Sequence, residues 1–186
     1  TLLTEKLRPG DIFTHCYAHV RTRLPIVQDG KLQPYVVAAQ KRGIIFDVGH
    51  GGASFSFEQA IPAIKQGLKP NSISTDLHTG SMNGGMKDMI NLMSKMLNIG
   101  LSLQEVIAAS TWNPAQIINK KELGNLSPGS LADVAVVSLE RGNFGYLDSQ
   151  GFRVSGDRKL VCELTILDGD IVWDLNGISG TPYKEK

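Results

Sequence analysis

Apolar residues in the first two thirds of the chain form short blocks separated by polar and glycine residues. Blocks of strand length cover 11–17, 43–48 and 72–76, and patterns suited to helices lie between them at 34–42 and 57–66. Strands and helices that alternate with short connections are typical of parallel βα units rather than of an antiparallel sandwich. The pattern therefore predicts an α/β fold.

Residues that favour helix ends mark the boundaries of the first two predicted helices. Pro34 stands at the first position of a helix, where proline is tolerated, and Gly43 stands where that helix would stop. Ser56 is a suitable N-cap for the second helix, and Gly67 follows its last residue. Both helices are therefore predicted to be short and to return the chain to the next strand.

Two further helices are predicted between residues 103 and 124. Ser102 and Glu105 have the three-residue spacing of a capping box, which predicts a helix over 103–109. Asn113 precedes a proline and is a suitable N-cap for another short helix, which would end near Gly124.

All five methionines of the chain lie close together in sequence. Four of them, Met86, Met89, Met93 and Met96, recur at spacings of three, four and three, which places them on one face of a helix. Such a stripe could contact a cofactor or a hydrophobic ligand, but packing in the core is the ordinary role of this pattern. We predict that these methionines belong to the core.

After Gly124 the pattern changes to β-branched runs separated by turns. Asp168 and Gly169 lie between apolar runs at 164–167 and 170–173, and Asp-Gly at this position is a strong signal for a β-hairpin turn. This part of the chain is therefore predicted to form antiparallel strands.

Composition and charge exclude several classes of partner. The chain has 41% hydrophobic and 20% charged residues and a formal net charge of +1, so it offers no electrostatic basis for binding nucleic acid or an anionic membrane. It contains no apolar run of transmembrane length. The two cysteines, Cys16 and Cys162, are far apart and lack the spacing of a zinc finger, so a reducing, cytoplasmic location is expected.

Three polar residues stand at the ends of the predicted strands: His15, His50 and Asp76. A barrel of parallel strands builds its active site from such positions, and imidazole nitrogens are suitable zinc ligands. Each residue also has an ordinary interpretation, because a lone histidine is often a hydrogen-bonded loop residue and a strand-end carboxylate can cap the next helix. Two histidines that both close apolar strands favour a shared metal.

The motifs around these residues resemble those of the metal-dependent amidohydrolase superfamily. The segments T-H-C-Y, V-G-H-G-G-A-S-F and I-S-T-D are similar to those of its amidohydrolase/deacetylase branch, which includes D-amino-acid deacylase-like enzymes. The resemblance runs from about residue 7 to the C-terminus. It implies the second half of a (β/α)₈ TIM-type barrel over 1–123 and part of a small β-sandwich over 124–186.

The same resemblance assigns roles to the three strand-end residues. It implies that His15, His50 and Asp76 are metal ligands and that the metal is zinc. It also implies that Asp76 is the catalytic residue, which accepts a proton from a metal-activated hydroxide and transfers it to the leaving nitrogen. The H-x-H motif of the first barrel strand has no counterpart among the four histidines, so one or two metals remain possible.

Four other residues are candidates for substrate binding. His78 could contact substrate or orient Asp76, although a surface loop histidine is an equally good interpretation. Gly51 and Gly52 could allow a sharp turn or the close approach of a substrate carbonyl or acyl methyl group. Arg21 could bind a substrate carboxylate, and a solvated loop charge is the alternative.

Two residues near the predicted site are expected to have structural roles only. Asp47 lies three positions before His50 on the same strand and should face the opposite side. Cys16 should alternate away from His15, and no triad partner is evident for it, so a nucleophilic role is not expected.

The resemblance implies hydrolysis of an amide, or of an ester, in a small N-acyl amino acid or acylated hydroxy acid. A cyclic-amide hydrolase of the dihydroorotase type and a non-catalytic barrel that serves as a scaffold subunit are the alternatives. A complete TIM barrel needs about 250 residues, so this chain of 186 residues is expected to be a C-terminal portion that is inactive alone. Its expected partners are a small-molecule substrate and the missing N-terminal half, and association with a second copy in a homo-oligomer is left open.

Overall fold

The computed structural model describes residues 2–82 and 84–185. Three residues lie outside this description. They are Thr1 and Lys186, the outermost residues of the two predicted domains, and Asn83, within the glycine-rich loop after Asp76. The described elements are a single π-helical turn at Leu2–Lys6, five helices and seven strands. The helices are α1 (Pro34–Arg42), α2 (Phe57–Lys65), α3 (Met89–Asn98), α4 (Leu103–Ser110) and α5 (Trp112–Ile117), and the strands are β1 (Ile12–Phe13), β2 (Val27–Gln28), β3 (Lys31–Leu32), β4 (Ile45–Phe46), β5 (Val134–Leu147), β6 (Arg153–Leu167) and β7 (Asp170–Asp174).

Three chain segments lie side by side and parallel in the first part of the molecule. β1 pairs with β4 in parallel, and α1 is part of the connection between them. On the other side of β4, a parallel bridge joins Asp47 to Ser72, and the amide of Val48 donates to the Ser72 carbonyl over 3.1 Å. The observed order of parallel segments joined by helical connections confirms the predicted α/β class.

The regular strands are shorter than the sequence predicts. β1 and β4 contain two residues each, and the segment 72–76 takes part through a single bridge at Ser72. The reason is visible at the strand ends, where His15 and Asp76 have φ angles of 57° and 50°. These left-handed conformations end the extended backbone, so the predicted strands become turns at the residues of chemical interest.

The predicted helices appear with small shifts at their ends. α1 has the predicted bounds, and α4 begins with the predicted capping box, in which the Ser102 hydroxyl accepts from the Glu105 amide. The prediction for α5 is wrong. This helix begins at Trp112 and ends at Ile117, and Asn113 lies inside it, because the Asn113 side chain donates to the carbonyl of Asn71 rather than capping its own helix.

The final third of the described chain forms a three-stranded antiparallel sheet in the order β5-β6-β7. Leu167 pairs with Asp170, so the turn between β6 and β7 lies at Asp168–Gly169. Both turn residues have positive φ angles, 51° and 88°, as a two-residue hairpin turn of type I′ requires. The predicted hairpin is therefore confirmed.

The methionine-rich helix α3 connects the parallel segments to this sheet. Met93 and Met96 are buried, with exposed fractions of 7% and 0%, and Met86 is buried just before the helix. On the sheet side, the Leu160 amide of β6 donates to the Ser94 hydroxyl over 2.9 Å. Full burial of a methionine side chain stabilises a fold by roughly 1.5–3 kcal/mol. These buried methionines therefore have the core role that the sequence predicts.

No helix in the described ranges 2–82 and 84–185 is long and apolar enough to cross a membrane.

Candidate active site

The candidate site lies where the three parallel segments end. His15 follows β1, the glycine-rich turn from Gly49 to Gly51 follows β4, and Asp76 closes the third segment. The amide of His50 donates to the Ser74 carbonyl over 3.1 Å, and that of Gly51 donates to the Thr75 carbonyl over 2.9 Å. These backbone bonds hold the second and third segment ends in contact.

The structure brings two of the predicted site residues, His15 and Asp76, close together. The Nε2 atom of His15 lies 4.0 Å from Oδ2 of Asp76. The other ring nitrogen, Nδ1, lies 2.5 Å from the carbonyl oxygen of Gly49, which can only accept a hydrogen bond. Nδ1 must therefore carry the proton, and a neutral ring presents the lone pair of Nε2 towards the Asp76 carboxylate.

Both residues adopt backbone conformations that are uncommon for side chains other than glycine. The left-handed φ angles of His15 and Asp76 each cost of the order of 1 kcal/mol or more, although aspartate tolerates this region better than most residues. Strained positions of this kind occur often at active sites, where the surrounding structure maintains them. The strain turns both side chains towards the same end of the parallel segments.

Gly51 makes room for the Asp76 carboxylate. A Cβ atom placed on Gly51 would lie 2.5 Å from Oδ2 of Asp76, and the φ angle of Gly51 is 51°. Any side chain here would collide with the carboxylate and would also strain the backbone. A Cβ atom on Gly52 would instead meet Gly80 and Ser81 at 3.5 Å, which is ordinary van der Waals contact.

His50 occupies a different environment from His15 and Asp76. It is completely buried, and its ring stacks on that of Phe55 at a centroid distance of 4.6 Å. Its Nδ1 atom lies 2.8 Å from the Gly51 carbonyl oxygen, and its Nε2 atom lies 2.7 Å from Nζ of Lys95. The three predicted ligands are thus assembled only in part, and the shared site that includes His50 stays a prediction.

Within residues 2–82 and 84–185, no three His, Cys, Asp or Glu side chains are arranged to hold a metal ion. At His50, the amine of Lys95 donates to the lone pair of Nε2. The Nδ1 proton of His50 is assigned to the Gly51 carbonyl, so Nε2 is the atom that a metal would use.

Lys95 is a buried lysine that lies outside the motifs of the sequence. Its Nζ atom donates to the Gly85 carbonyl oxygen over 2.7 Å as well as to His50, and it lies 5.3 Å from the centroid of the Phe55 ring. Burial lowers the pKa of Lys95 to about 7, although the carboxylate of Asp148 opposes this shift. Burial and then the charge of Lys95 lower the pKa of His50 to about 4.

A sequence signal for Lys95 did exist. Residues 92–97 read L-M-S-K-M-L, and Lys95 is the single charged residue in this apolar run. In the structure all six residues are buried. A lysine inside an apolar helical stripe is rarely buried without a partner, so its position indicates an interior polar contact.

The tip of the β5–β6 hairpin supports the loop that carries Phe55. The buried carboxylate of Asp148 accepts from the amide of Phe57 over 3.0 Å and from two amides of its own turn. Next to it, the Ser149 hydroxyl accepts from the Phe55 amide over 2.9 Å, and the Ser149 amide donates to the Phe55 carbonyl over 3.0 Å. Because Phe55 stacks on His50, the antiparallel sheet is linked to the candidate site.

The remaining predicted site residues lie at the periphery. His78 is exposed, and its Nδ1 atom accepts from the Gly80 amide over 3.1 Å. Arg21 is exposed and lines a surface cleft together with His19 and Glu58. Cys16 is buried, and burial raises the pKa of its thiol, which agrees with the expectation that it is not a nucleophile.

Residues 56–172 match the sequence model of the amidohydrolase family, and this range covers more than half of the chain. The chain belongs to the amidohydrolase family. The matched range contains Asp76 and the whole of α3, and it begins after His15 and His50. The resemblance noted in the sequence is therefore confirmed at the level of the family.

Individual relatives of this amidohydrolase agree with that assignment. A deacetylase from Brucella anthropi is 42% identical over 147 residues, which are 79% of this chain and 36% of the relative. The crystal structure of a dihydroorotase is 36% identical, with a TM-score of 0.81, and covers 90% of this chain. The crystal structure of an adenine deaminase is 28% identical, with a TM-score of 0.85, and covers 92% of this chain.

This amidohydrolase chain spans only part of each of these proteins. It corresponds to 36% of the Brucella anthropi deacetylase, 46% of the dihydroorotase chain and 47% of the adenine deaminase chain.

Proposed function

We propose that the complete gene product is a zinc-dependent hydrolase that cleaves an amide or ester bond in a small N-acyl amino acid or acylated hydroxy acid. Membership of the amidohydrolase family and the similarity to a deacetylase support hydrolysis of an acyl group. The observation that carries the proposal is the pairing of His15 and Asp76 at the ends of parallel segments, 4.0 Å apart.

The fold that we propose for the complete protein is a (β/α)₈ barrel with an attached β-sandwich. Residues 1–123 would supply the second half of the barrel, and residues 124–186 would supply part of the sandwich. The parallel order of β1, β4 and the segment 72–76 supports the first assignment. The antiparallel sheet from β5 to β7 supports the second.

The donor atoms of His15 and Asp76 are of the types that bind zinc. Zinc binds imidazole nitrogen and carboxylate oxygen at about 2.0–2.2 Å in a tetrahedral arrangement, so two such ligands are about 3.4 Å apart. The Nε2–Oδ2 distance of 4.0 Å is longer than this, so the half-exposed Asp76 carboxylate would move towards His15 when the metal binds. His50 would be the third ligand through Nε2 only after the Lys95 amine had left its 2.7 Å contact with that atom. When bound, the metal would lower the pKa of water to about 7 and so supply hydroxide at neutral pH.

Asp76 would be the group that moves the proton. About half of its side-chain surface is exposed, so the carboxylate can contact a substrate and also face His15. The carboxylate would accept the proton of the attacking water and then donate it to the leaving nitrogen of the amide. Transfer of this kind by a positioned side chain contributes about 10²–10⁴-fold to the rate.

The substrate would lie on the open side of Asp76. Gly51 and Gly52 present no side chain there, and His78 follows Asp76 by two residues, so these three are proposed substrate contacts. Arg21 is proposed to bind a substrate carboxylate, since its guanidinium is exposed in a cleft.

A test of this proposal combines metal analysis with a substrate panel. The complete gene product should contain zinc, and it should hydrolyse N-acetyl derivatives of D- or L-amino acids faster than cyclic ureides. The His15→Ala variant should lose bound zinc, because it removes one ligand. A metal-free protein that hydrolyses neither class would contradict the proposal and would favour a scaffold role.

A cyclic-amide hydrolase is the second candidate. The structural similarity to a dihydroorotase, at 36% identity, favours it. The same panel separates the two candidates, because a cyclic-amide hydrolase should prefer the ureides.

A further inference from the structure

We infer that Asp47 is a positioning residue for the active site, because its carboxylate holds together the three chain segments that carry His15, Gly51 and Asp76. This inference rests on the proposed function. It goes beyond the sequence-based interpretation of Asp47, which gave this residue a structural role alone.

The carboxylate of Asp47 accepts hydrogen bonds from three hydroxyl groups. One comes from the segment that carries His15, and two come from the segment that carries Asp76. Its Oδ2 atom accepts from the Thr14 hydroxyl over 2.7 Å and from the Ser74 hydroxyl over 2.6 Å. Its Oδ1 atom accepts from the Ser72 hydroxyl over 2.6 Å. These are the short distances of hydrogen bonds to an ionised acceptor.

Each of these contacts is close to a site residue in sequence. Thr14 immediately precedes His15, and Ser74 lies two positions before Asp76. Ser74 also accepts from the Gly49 amide over 3.1 Å, which ties the turn beside His15 to the same cluster. Asp47 therefore acts on the site through its neighbours.

The cluster lies where regular strand pairing ends. β1 ends at Phe13 and β4 ends at Phe46, and beyond these residues single backbone bonds, such as that from the Cys16 amide to the Asp47 carbonyl over 3.1 Å, continue the pairing. The side-chain bonds of Asp47 reinforce the pairing at this point. A slip of one residue between parallel segments moves a side chain by about 3.3 Å. A slip of that size would abolish the 4.0 Å approach of His15 to Asp76. Three hydroxyl bonds to a single buried carboxylate oppose such a slip.

A carboxylate is a costly way to join three segments. Asp47 is only 7% exposed, and the transfer of a charge away from water is unfavourable unless hydrogen bonds compensate. Apolar side chains would hold adjacent segments together without this cost, but they would not determine register through directional bonds. Placement of catalytic groups to within about 0.5 Å requires such directional support.

The test uses two substitutions of Thr14 in the complete gene product. Thr14→Val keeps the shape of the side chain and removes the hydroxyl, whereas Thr14→Ser keeps the hydroxyl. Misplacement by 1 Å can cost about 10²-fold in rate, so we expect kcat of Thr14→Val to fall by at least about 10-fold with KM little changed. We expect kcat of Thr14→Ser to stay within about 3-fold of the wild type, with Ser74→Ala behaving like Thr14→Val.

Ser138→Ala is the matched control for stability. It also removes a hydroxyl that donates to a carboxylate, that of Glu163 over 2.6 Å, but it lies on β5, outside the Asp47 cluster. Its melting temperature should fall with kcat little changed. If Thr14→Val lowers the melting temperature as Ser138→Ala does and also leaves kcat unchanged, Asp47 has a structural role only and the inference is wrong.

Crystal structures of the wild type and Thr14→Val separate this inference from the proposed function. The separation of His15 Nε2 and Asp76 Oδ2 should change by about 1 Å or more in the variant. An unchanged separation would overturn the positioning role even in an active enzyme. A changed separation in a protein without hydrolase activity would support the positioning role while the proposed function fails.

Discussion

Nζ of Lys95 lies 2.7 Å from Nε2 of His50, and both residues are completely buried. The Nδ1 proton of His50 is directed to the Gly51 carbonyl, so the lysine donates to the remaining lone pair of the ring. The pair places an amine at the atom that the proposed metal would use. It also creates a buried polar contact whose stability depends on pH.

The first prediction concerns this pH dependence. The pKa of Lys95 is lowered from 10.5 to about 7, so the unfolded state binds more protons than the folded state between these values. The contribution of Lys95 to the free energy of unfolding therefore rises as pH increases from 7 towards 10. Lys95→Met lacks this group, and the free energy of unfolding of the wild type relative to the variant should rise over the same range.

Urea unfolding at pH 7, 8 and 9 measures this difference. Lys159→Met is the control, since Lys159 is half exposed and its amine contacts Glu140 and the Phe144 ring at the surface. Its difference from the wild type should be nearly independent of pH. A Lys95→Met difference that is equally flat would show that Lys95 is not buried in the folded protein.

The second prediction concerns Gly51. In Gly51→Ala the new methyl group would lie 2.5 Å from the Asp76 carboxylate and would occupy a left-handed backbone conformation. We expect the variant to lose at least about 1 kcal/mol of stability and most of its activity, since Asp76 must move. Gly52→Ala is the matched control for stability, because its methyl group has space at 3.5 Å. Equal losses of stability in the two variants would contradict the proposed contact between Gly51 and Asp76.

Features of the fold that depend on a few adjacent residues could be predicted from the sequence. Local signals were sufficient for α1, for the capping box at Ser102 and for the Asp168–Gly169 hairpin, because each depends on a few adjacent residues. The approach of His15 to Asp76 could also be predicted, because parallel strand ends meet at one edge.

Contacts between distant segments could not be predicted in this way. The bond from Lys95 to His50 joins residues 45 positions apart, and the bond from Phe57 to Asp148 joins residues 91 positions apart. Neither pair has a local spacing that marks it. The cluster around Asp47 was missed for a related reason, since alternation along a strand indicates only the face of a residue and not its partners on neighbouring segments.

The third prediction concerns the hairpin tip. Asp148→Asn replaces a carboxylate that accepts from three backbone amides, and the new amide group cannot accept at both positions. Loss of a buried acceptor costs about 1–3 kcal/mol, so we expect a decrease of that size in the free energy of unfolding. Asp157→Asn should cost less, because Asp157 is exposed and forms surface ion pairs with Arg141 and Arg158. Equal effects in chemical denaturation would argue against a linking role for the tip.

The central claim is that Asp76 transfers the proton in a metal-dependent hydrolysis, and the turnover of Asp76→Asn tests it most directly. The substitution keeps the size of the side chain and removes its ability to accept a proton, so kcat of the complete gene product should fall by about 10²–10⁴-fold. Asp170→Asn, an exposed control on β7, should retain normal turnover. A loss of zinc together with the loss of turnover would assign Asp76 chiefly to the metal. Near-normal turnover of Asp76→Asn on the substrate that the wild type hydrolyses would contradict the claim.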